Sequence, residues 1–160
     1  MATFSFENIL AWQKAHEFVL AVYKITKTFP KEELFGLTSQ FRRAAVSIES
    51  NIAEGYKKLG RADKLRFLNI AQGSLEECRD YIILSRDLQY INAEQFTQLH
   101  ESAEESSKLL NGYCNGILNN SGVKDSGNDI TNVLTPKLLN SLTPKIIWKK
   151  RASYCGLRAW

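Results

Sequence analysis

Apolar side chains recur every three or four residues along most of the first 118 positions, and no other feature constrains the fold of this chain as strongly. Segment 34–58 shows the spacing most clearly. At about 100° per residue its apolar side chains fall on one stripe of an α-helix: Leu37, Phe41, Ala45, Ile48 and Ile52. We expect Thr38 to cap the start of this helix and Gly55 to end it in a left-handed conformation.

A line of polar side chains runs beside this stripe, and we call it the polar line. Its five members share an arc roughly 80° wide on the helical wheel: Gln40, Arg43, Ser47, Asn51 and Glu54. One interpretation is a half-exposed flank that is hydrogen-bonded to water. The other is a line of contacts with another helix or another subunit, where amide, hydroxyl and carboxylate groups need partners once they lose water.

Three further segments carry helical spacing and complete the predicted fold. They cover residues 6–28, 62–88 and 93–118, and only a few residues separate the last two. No segment shows a convincing alternation of apolar and polar residues with the period of two that a half-buried β-strand has. Long helices joined by short connections favour an all-α fold, namely an antiparallel up-down-up-down four-helix bundle over residues 1–118.

The pattern changes in residues 119–160. The sequence LTPKLL at 134–139 nearly repeats as LTPKII at 142–147, and the two prolines forbid one continuous helix through both copies. This segment carries seven Lys or Arg residues against two Asp. We therefore expect an irregular basic tail that is flexible or only loosely docked.

Composition excludes several classes of protein. No run of about 18 apolar residues could span a membrane, and the first residues lack the pattern of a signal peptide. The three cysteines, Cys78, Cys114 and Cys155, have no close metal-ligand spacing. We expect a cytoplasmic protein with reduced thiols, no bound metal, no cofactor and no membrane association.

Charge is distributed unevenly along the chain. Residues 14–66 contain eleven Lys or Arg against six Asp or Glu, whereas residues 67–118 contain three against eight. The densest cations surround the connection between the second and third helices: Lys57, Lys58, Arg61, Lys64 and Arg66. Together with Arg42 and Arg43 they are expected to form a patch for phosphate groups, with Tyr56 as the nearest ring for a base. The same asymmetry could instead join subunits, or be no more than solvated faces.

The sequence lacks the common catalytic patterns. A di-iron bundle needs two Glu-x-x-His motifs, but Gln13 precedes His16 by three residues and Thr97 precedes His100 by three. The chain also lacks a glycine-rich phosphate loop, a GxSxG motif and an HExxH motif. We therefore expect no enzyme activity.

Several motifs in a fixed order resemble a known family. They include LAWQKA at 10–15, FPKEE at 29–33, QFRRAA at 40–45, NIAEG at 51–55 and IAQGSLEE at 70–77. Over residues 6–118 the chain resembles the four-helix-bundle proteins encoded in intervening sequences of bacterial large-subunit ribosomal RNA genes. It is similar, more distantly, to the accessory variability proteins of diversity-generating retroelements. These resemblances imply a bundle assembled as a ring-like homopentamer. For the retroelement proteins they also imply basic surfaces that bind nucleic acid and a reverse transcriptase.

Two functional hypotheses follow. The first is a non-enzymatic oligomer that binds nucleic acid, RNA or RNA–DNA, through its basic surface: Arg42, Arg43, Lys57, Lys58, Arg61, Lys64 and Arg66. The alternative is a protein-interaction scaffold whose ring-like homo-oligomer binds a protein partner such as a reverse transcriptase. The resemblance favours the first, and neither hypothesis involves a small-molecule substrate.

Overall fold

The computed structural model describes residues 5–119, and over that range the chain forms α-helices and no β-strand. The helices are α1 (Leu10–Ile25), α2 (Leu37–Lys57), α3 (Arg61–Asp87) and α4 (Ala93–Asn119). Each helix packs against the next, and α4 returns to pack against α1, so the four close into a bundle. The predicted all-α four-helix bundle is confirmed. The predicted tail lies outside the described residues except for Asn119.

Short 3-10 turns account for the differences from the predicted boundaries. They lie at Phe6–Asn8 and Thr26–Thr28, on either side of α1, and at Lys31–Leu34 before α2. The first predicted helix therefore contains a shorter α-helix flanked by tighter turns. None of the helices within residues 5–119 combines the length and the apolar character needed to cross a membrane.

The apolar stripe of α2 lies in the core as its spacing predicts. All five of its members are buried: Leu37, Phe41, Ala45, Ile48 and Ile52. The ring of Phe41 has no exposed surface, and its centroid lies 5.8 Å from that of Tyr81 on α3. This burial holds α2 against α3 and fixes the direction in which the polar side of α2 faces.

The predicted N-cap of α2 is wrong. The helix begins at Leu37, so Thr38 lies inside the first turn, and its side chain is buried. The carboxylate of Glu33 caps the helix instead, because its Oε2 accepts a hydrogen bond from the Leu37 N–H at 2.9 Å. Its Oε1 accepts one from the Tyr90 hydroxyl at 3.1 Å, which ties the start of α2 to the α3–α4 connection.

The predicted role of Gly55 is also wrong. α2 continues through Gly55 to Lys57, and no glycine among the described residues has a positive φ. A Cβ at Gly55 would lie 3.2 Å from the Cβ of Phe67 and 3.3 Å from the carbonyl oxygen of Lys64. The glycine therefore permits a close approach between α2 and α3 near their connection.

The connection between α3 and α4 is short because both helix ends are capped locally. Gln89 has a φ of 60°, and Tyr90 N–H donates to the Ser85 carbonyl while Gln89 N–H donates to that of Arg86, both at 2.9 Å. These bonds make a Schellman motif with Gln89 in the left-handed position. At the start of α4, Asn92 and Gln95 cap each other's N–H groups at 2.8 and 2.9 Å.

Glycine at position 89 should stabilise the protein. A left-handed conformation costs a non-glycine residue roughly 1–2 kcal/mol, and glycine loses part of that gain through its greater freedom in the unfolded chain. We expect Gln89→Gly to raise the free energy of unfolding by about 0.5–1 kcal/mol, measured by urea denaturation. Gln98→Gly, inside α4, is the control and should lower it by about 1 kcal/mol. Equal changes at the two positions would contradict the assignment.

Candidate nucleic-acid interface

The structure divides the predicted phosphate-binding cations into two groups. Arg42 and Arg43, the groove arginines, lie in the first turns of α2. The other group surrounds the α2–α3 connection, and we call it the connection cluster: Lys57, Lys58, Arg61, Lys64 and Arg66. At 1.5 Å per residue, Arg43 and Lys57 are separated by about 21 Å along the axis of α2. The two groups therefore form separate surfaces near opposite ends of one helix.

Members of the connection cluster differ in how freely they meet solvent. Lys57 and Arg66 are exposed. The Lys58 ammonium lies 4.4 Å from the centroid of the Phe67 ring, and the Arg61 guanidinium donates a hydrogen bond to the Leu118 carbonyl near the end of α4. Lys64 is only 9% exposed, so most of its side chain packs within the bundle. Lys57, Arg61 and Arg66 are thus the exposed cations of this cluster, and of these Arg61 is the one with a hydrogen bond among residues 5–119.

The groove arginines line a shallow groove of about 400 Å³ between the end of α1 and the start of α2. Tyr23, Thr38 and Ser39 contribute its aromatic and hydroxyl groups, and Leu34 and Val46 contribute apolar walls. The Arg42 guanidinium lies over the Tyr23 ring at 5.0 Å from the centroid, and its Nε donates to Thr26 Oγ1 at 2.8 Å. Arg43 is exposed and donates to Gln40 Oε1 at 2.6 Å.

None of these seven cations forms an ion pair within residues 5–119. The pairs in that range use other groups: Lys14 with Glu17 and Glu105, Arg79 with Glu76 and Glu104, Arg86 with Asp87, and the His16 ring, which is charged only when protonated, with Glu49. The charges at the groove and at the connection are therefore not neutralised by carboxylates in the described part of the chain. A negatively charged partner could supply the missing countercharge.

The polar line of α2 lies along the side that faces α3. Ser47 Oγ lies 2.8 Å from Ser74 Oγ on α3, and Ser74 Oγ also donates to the Ile70 carbonyl at 3.0 Å. Asn51 Nδ2 donates to the Ser47 carbonyl at 2.7 Å, within α2. Ser47 thus makes the helix contact that one of the two interpretations predicts. A contact of this line with another subunit stays a prediction.

The part of the polar line that carries Arg43 is also close to α3. A hydrogen bond to Glu77 raises the pKa of Tyr81 to about 12, and the positive charge of nearby Arg43 acts in the opposite direction. Glu54, at the other end of the line, is exposed and has no ion pair within the described residues. The line thus has one partly buried contact at its centre, with Arg43 toward its start and Glu54 at its end.

Comparison with known proteins places the chain in a family. The family model described as "23S rRNA-intervening sequence protein" matches residues 7–112. The chain belongs to this family. It is also similar to a protein of unknown function from the S23 ribosomal protein family of Bacteroides thetaiotaomicron VPI-5482, whose crystal structure has been determined at 1.70 Å resolution. The two chains are 27% identical with a TM-score of 0.63, and the match covers 68% of this chain and 98% of the other. No curated protein matches the chain.

Both basic groups lie inside the region that matches the 23S rRNA-intervening sequence protein family, since residues 42–66 fall within 7–112. The residues after 112, including the end of α4, lie beyond the match. The surfaces that carry the unpaired cations therefore belong to the family region of this chain.

The surroundings of Cys78, Cys114 and His16 suit a structural role. Burial raises the pKa of the Cys78 thiol and of the Cys114 thiol, so both stay protonated at neutral pH. His16 Nδ1 lies 2.7 Å from Glu49 Oε2, and its ring stacks on Trp12. Between residues 5 and 119, no group of three His, Cys, Asp or Glu could hold a metal ion. Cys155 lies outside that range.

Sequence reasoning missed the part that α1 plays in the groove. Tyr23 and Thr26 both contact Arg42, although they precede it by 19 and 16 residues. A weak signal was present, because Tyr23 lies outside the apolar face that the spacing of this helix indicates: Ile9, Trp12, Ala15, Phe18, Val19, Val22 and Ile25. Such an aromatic residue can only be assigned to a site once the neighbouring helix is known.

Proposed function

We propose that this member of the 23S rRNA-intervening sequence protein family is a non-enzymatic, cytoplasmic protein that binds nucleic acid, with structured RNA as the favoured partner. It binds through the connection cluster and the groove arginines, and it uses no metal or cofactor. The observation that supports this proposal is the set of seven cations that have no ion pair among the described residues. The name of the family, which refers to a segment of 23S rRNA, supports RNA as the partner.

Phosphate groups suit these cations for a physical reason. A Lys or Arg that neutralises a phosphate releases condensed counterions, and this release makes a large contribution to affinity at low salt. A cation that is already paired with a carboxylate must first lose that partner. The unpaired Lys57, Lys58 and Arg66 can therefore contribute more than the paired Lys14 or Arg79.

A second candidate function is the protein-interaction scaffold, and the exposed apolar side chains favour it. Phe35, before α2, and Leu59, between α2 and α3, are each 89% exposed. Large apolar groups at the surface suit contacts with another protein. In this candidate the chain forms a ring-like homo-oligomer, a pentamer, whose partner is a protein such as a reverse transcriptase.

Salt dependence separates the two candidates. The test is a gel shift of the purified full chain with structured RNA at salt concentrations between about 50 and 200 mM. With about six phosphate contacts, the affinity should fall on the order of 1,000-fold over that range. Light scattering on the same sample gives the mass of the assembly. Absence of binding at low salt, or binding that salt does not weaken, would contradict the nucleic-acid proposal and favour the scaffold.

A further inference from the structure

The pairing of Arg42 with Tyr23 gives the groove a fixed flat surface. The guanidinium lies over the ring at 5.0 Å from its centroid, and Nε is held by Thr26 Oγ1 at 2.8 Å. The Thr26 hydroxyl is itself fixed, because it donates to the Val22 carbonyl at 2.8 Å. Among residues 5–119 no hydrogen bond uses the two terminal amino groups of Arg42. The guanidinium is thus already oriented before any ligand binds, so little of its freedom is lost on binding.

The chemistry of the groove walls favours a ligand that is both flat and anionic. Leu34 and Val46 offer apolar surface beside the Tyr23 ring, Thr38 and Ser39 offer hydroxyl groups, and no carboxylate lines the groove. At about 400 Å³ its volume lies at the lower end of the range for small-ligand pockets. A ligand that fills this groove needs one flat aromatic face for the ring and the apolar side chains, and one negative group for the arginines.

The negative group would meet favourable charge from two sources. Arg43 is exposed beside the groove, and it lies only one residue along the chain from Arg42. Ser39 lies in the first turn of α2, where the helix dipole favours anions. The nearest capping carboxylate, Glu33, is already bonded to the Leu37 N–H and to the Tyr90 hydroxyl.

We propose that this groove binds one unpaired nucleotide of a single-stranded RNA segment. The base stacks on the guanidinium face of Arg42 and so extends the Tyr23–Arg42 pair, while the phosphate contacts Arg43 and the hydroxyl of Ser39. A base within a duplex is stacked on its neighbours, whereas a base in a loop or bulge is free to stack on an arginine or an aromatic ring. The inference rests on the proposed function and names the form of nucleic acid that this part of the surface recognises.

The test uses the full chain and a labelled strand of about ten uridines, which lies within the site sizes of single-strand binders. Two probes of equal length accompany it, an abasic strand that has phosphates without bases and a polyglutamate peptide. Tyr23→Leu removes the ring and keeps an apolar side chain of similar reach. Phe96→Leu is the matched control, because the Phe96 ring also lies beneath an arginine, with the Arg86 guanidinium 4.7 Å from its centroid, but on the acidic half of the bundle.

We expect Tyr23→Leu to weaken binding of the uridine strand about fivefold, since the ring that holds the Arg42 guanidinium in place for the base is lost, and to leave the abasic strand unaffected. Phe96→Leu should bind both strands as the unchanged protein does. Thermal unfolding checks that the Tyr23 variant is folded, which its 39% exposed side chain leads us to expect. A strand with 4-thiouridine should form its photochemical cross-link within the groove, at Arg42 or a residue beside it.

Other outcomes overturn the inference in distinguishable ways. If Tyr23→Leu binds the uridine strand like the unchanged protein, or the cross-link forms at Tyr56, the groove is not the nucleotide site, although the proposed function stands. If polyglutamate binds as tightly and with the same dependence on Tyr23, the occupant is an acidic protein segment. If no RNA binds at low salt in any form, the proposed function itself fails.

Discussion

Replacing Phe41 with alanine is expected to lower the free energy of unfolding by about 3–5 kcal/mol, the usual cost of removing a fully buried phenylalanine. The Phe41 side chain has no exposed surface and packs against the Tyr81 ring of α3. Its loss removes apolar contacts and leaves a cavity between α2 and α3. Because a whole domain is stable by only about 5–15 kcal/mol, this change should remove a large part of its stability.

Phe35 provides the matched control for this prediction. It is the same residue type, it lies only six positions earlier in the chain, and it is 89% exposed. Phe35→Ala should therefore change the free energy of unfolding by less than about 0.5 kcal/mol. Urea denaturation followed by circular dichroism measures both. A large loss for Phe35→Ala would mean that this ring is covered in solution, for example by a second copy of the chain.

The helices could be predicted from sequence because burial imposes their period. The stripe from Leu37 to Ile52 is buried at every member. The ends of the helices were harder to predict, because a cap depends on contacts that spacing does not show. Thr38 has the right residue type for an N-cap, but Glu33 takes that role from the preceding turn. Gly55 has the right residue type for a C-cap, but packing against α3 explains it instead.

The candidate site was predicted in part, for a similar reason. The residue types of the connection cluster and the groove arginines mark them as cations in the sequence, and most of them are accessible. Their separation into two surfaces follows from the length of α2. A patch predicted from neighbouring sequence positions does not take that length into account. The burial of Lys64 follows from its position on the side of α3 that approaches Gly55. The Tyr23–Arg42 contact requires α1 and α2 to be packed together, so no local pattern could reveal it.

Removing the accessible cations of the connection cluster should have the largest effect on RNA binding. We choose Lys57→Ala, Lys58→Ala and Arg66→Ala together. Arg61 is left in place because it bonds to the Leu118 carbonyl. Each phosphate contact contributes a slope of about 0.9 in log affinity against log salt, roughly eightfold between 1 M and 0.1 M. Three lost contacts therefore predict a slope smaller by about 2.7 and an affinity about 500-fold lower at about 0.1 M salt.

A second triple variant shows whether position or total charge causes the loss. Lys14→Ala, Arg86→Ala and Lys108→Ala remove the same number of positive charges, but Lys14 and Arg86 are paired with carboxylates, and Arg86 and Lys108 lie on the acidic half of the bundle. At about 0.1 M salt charges act over about 10 Å, so this variant should bind RNA nearly as the unchanged protein does. Equal losses in both variants would indicate a response to net charge alone. If only the second variant lost affinity, the phosphate surface would include one or more of Lys14, Arg86 and Lys108, and the assignment of the connection cluster would be wrong.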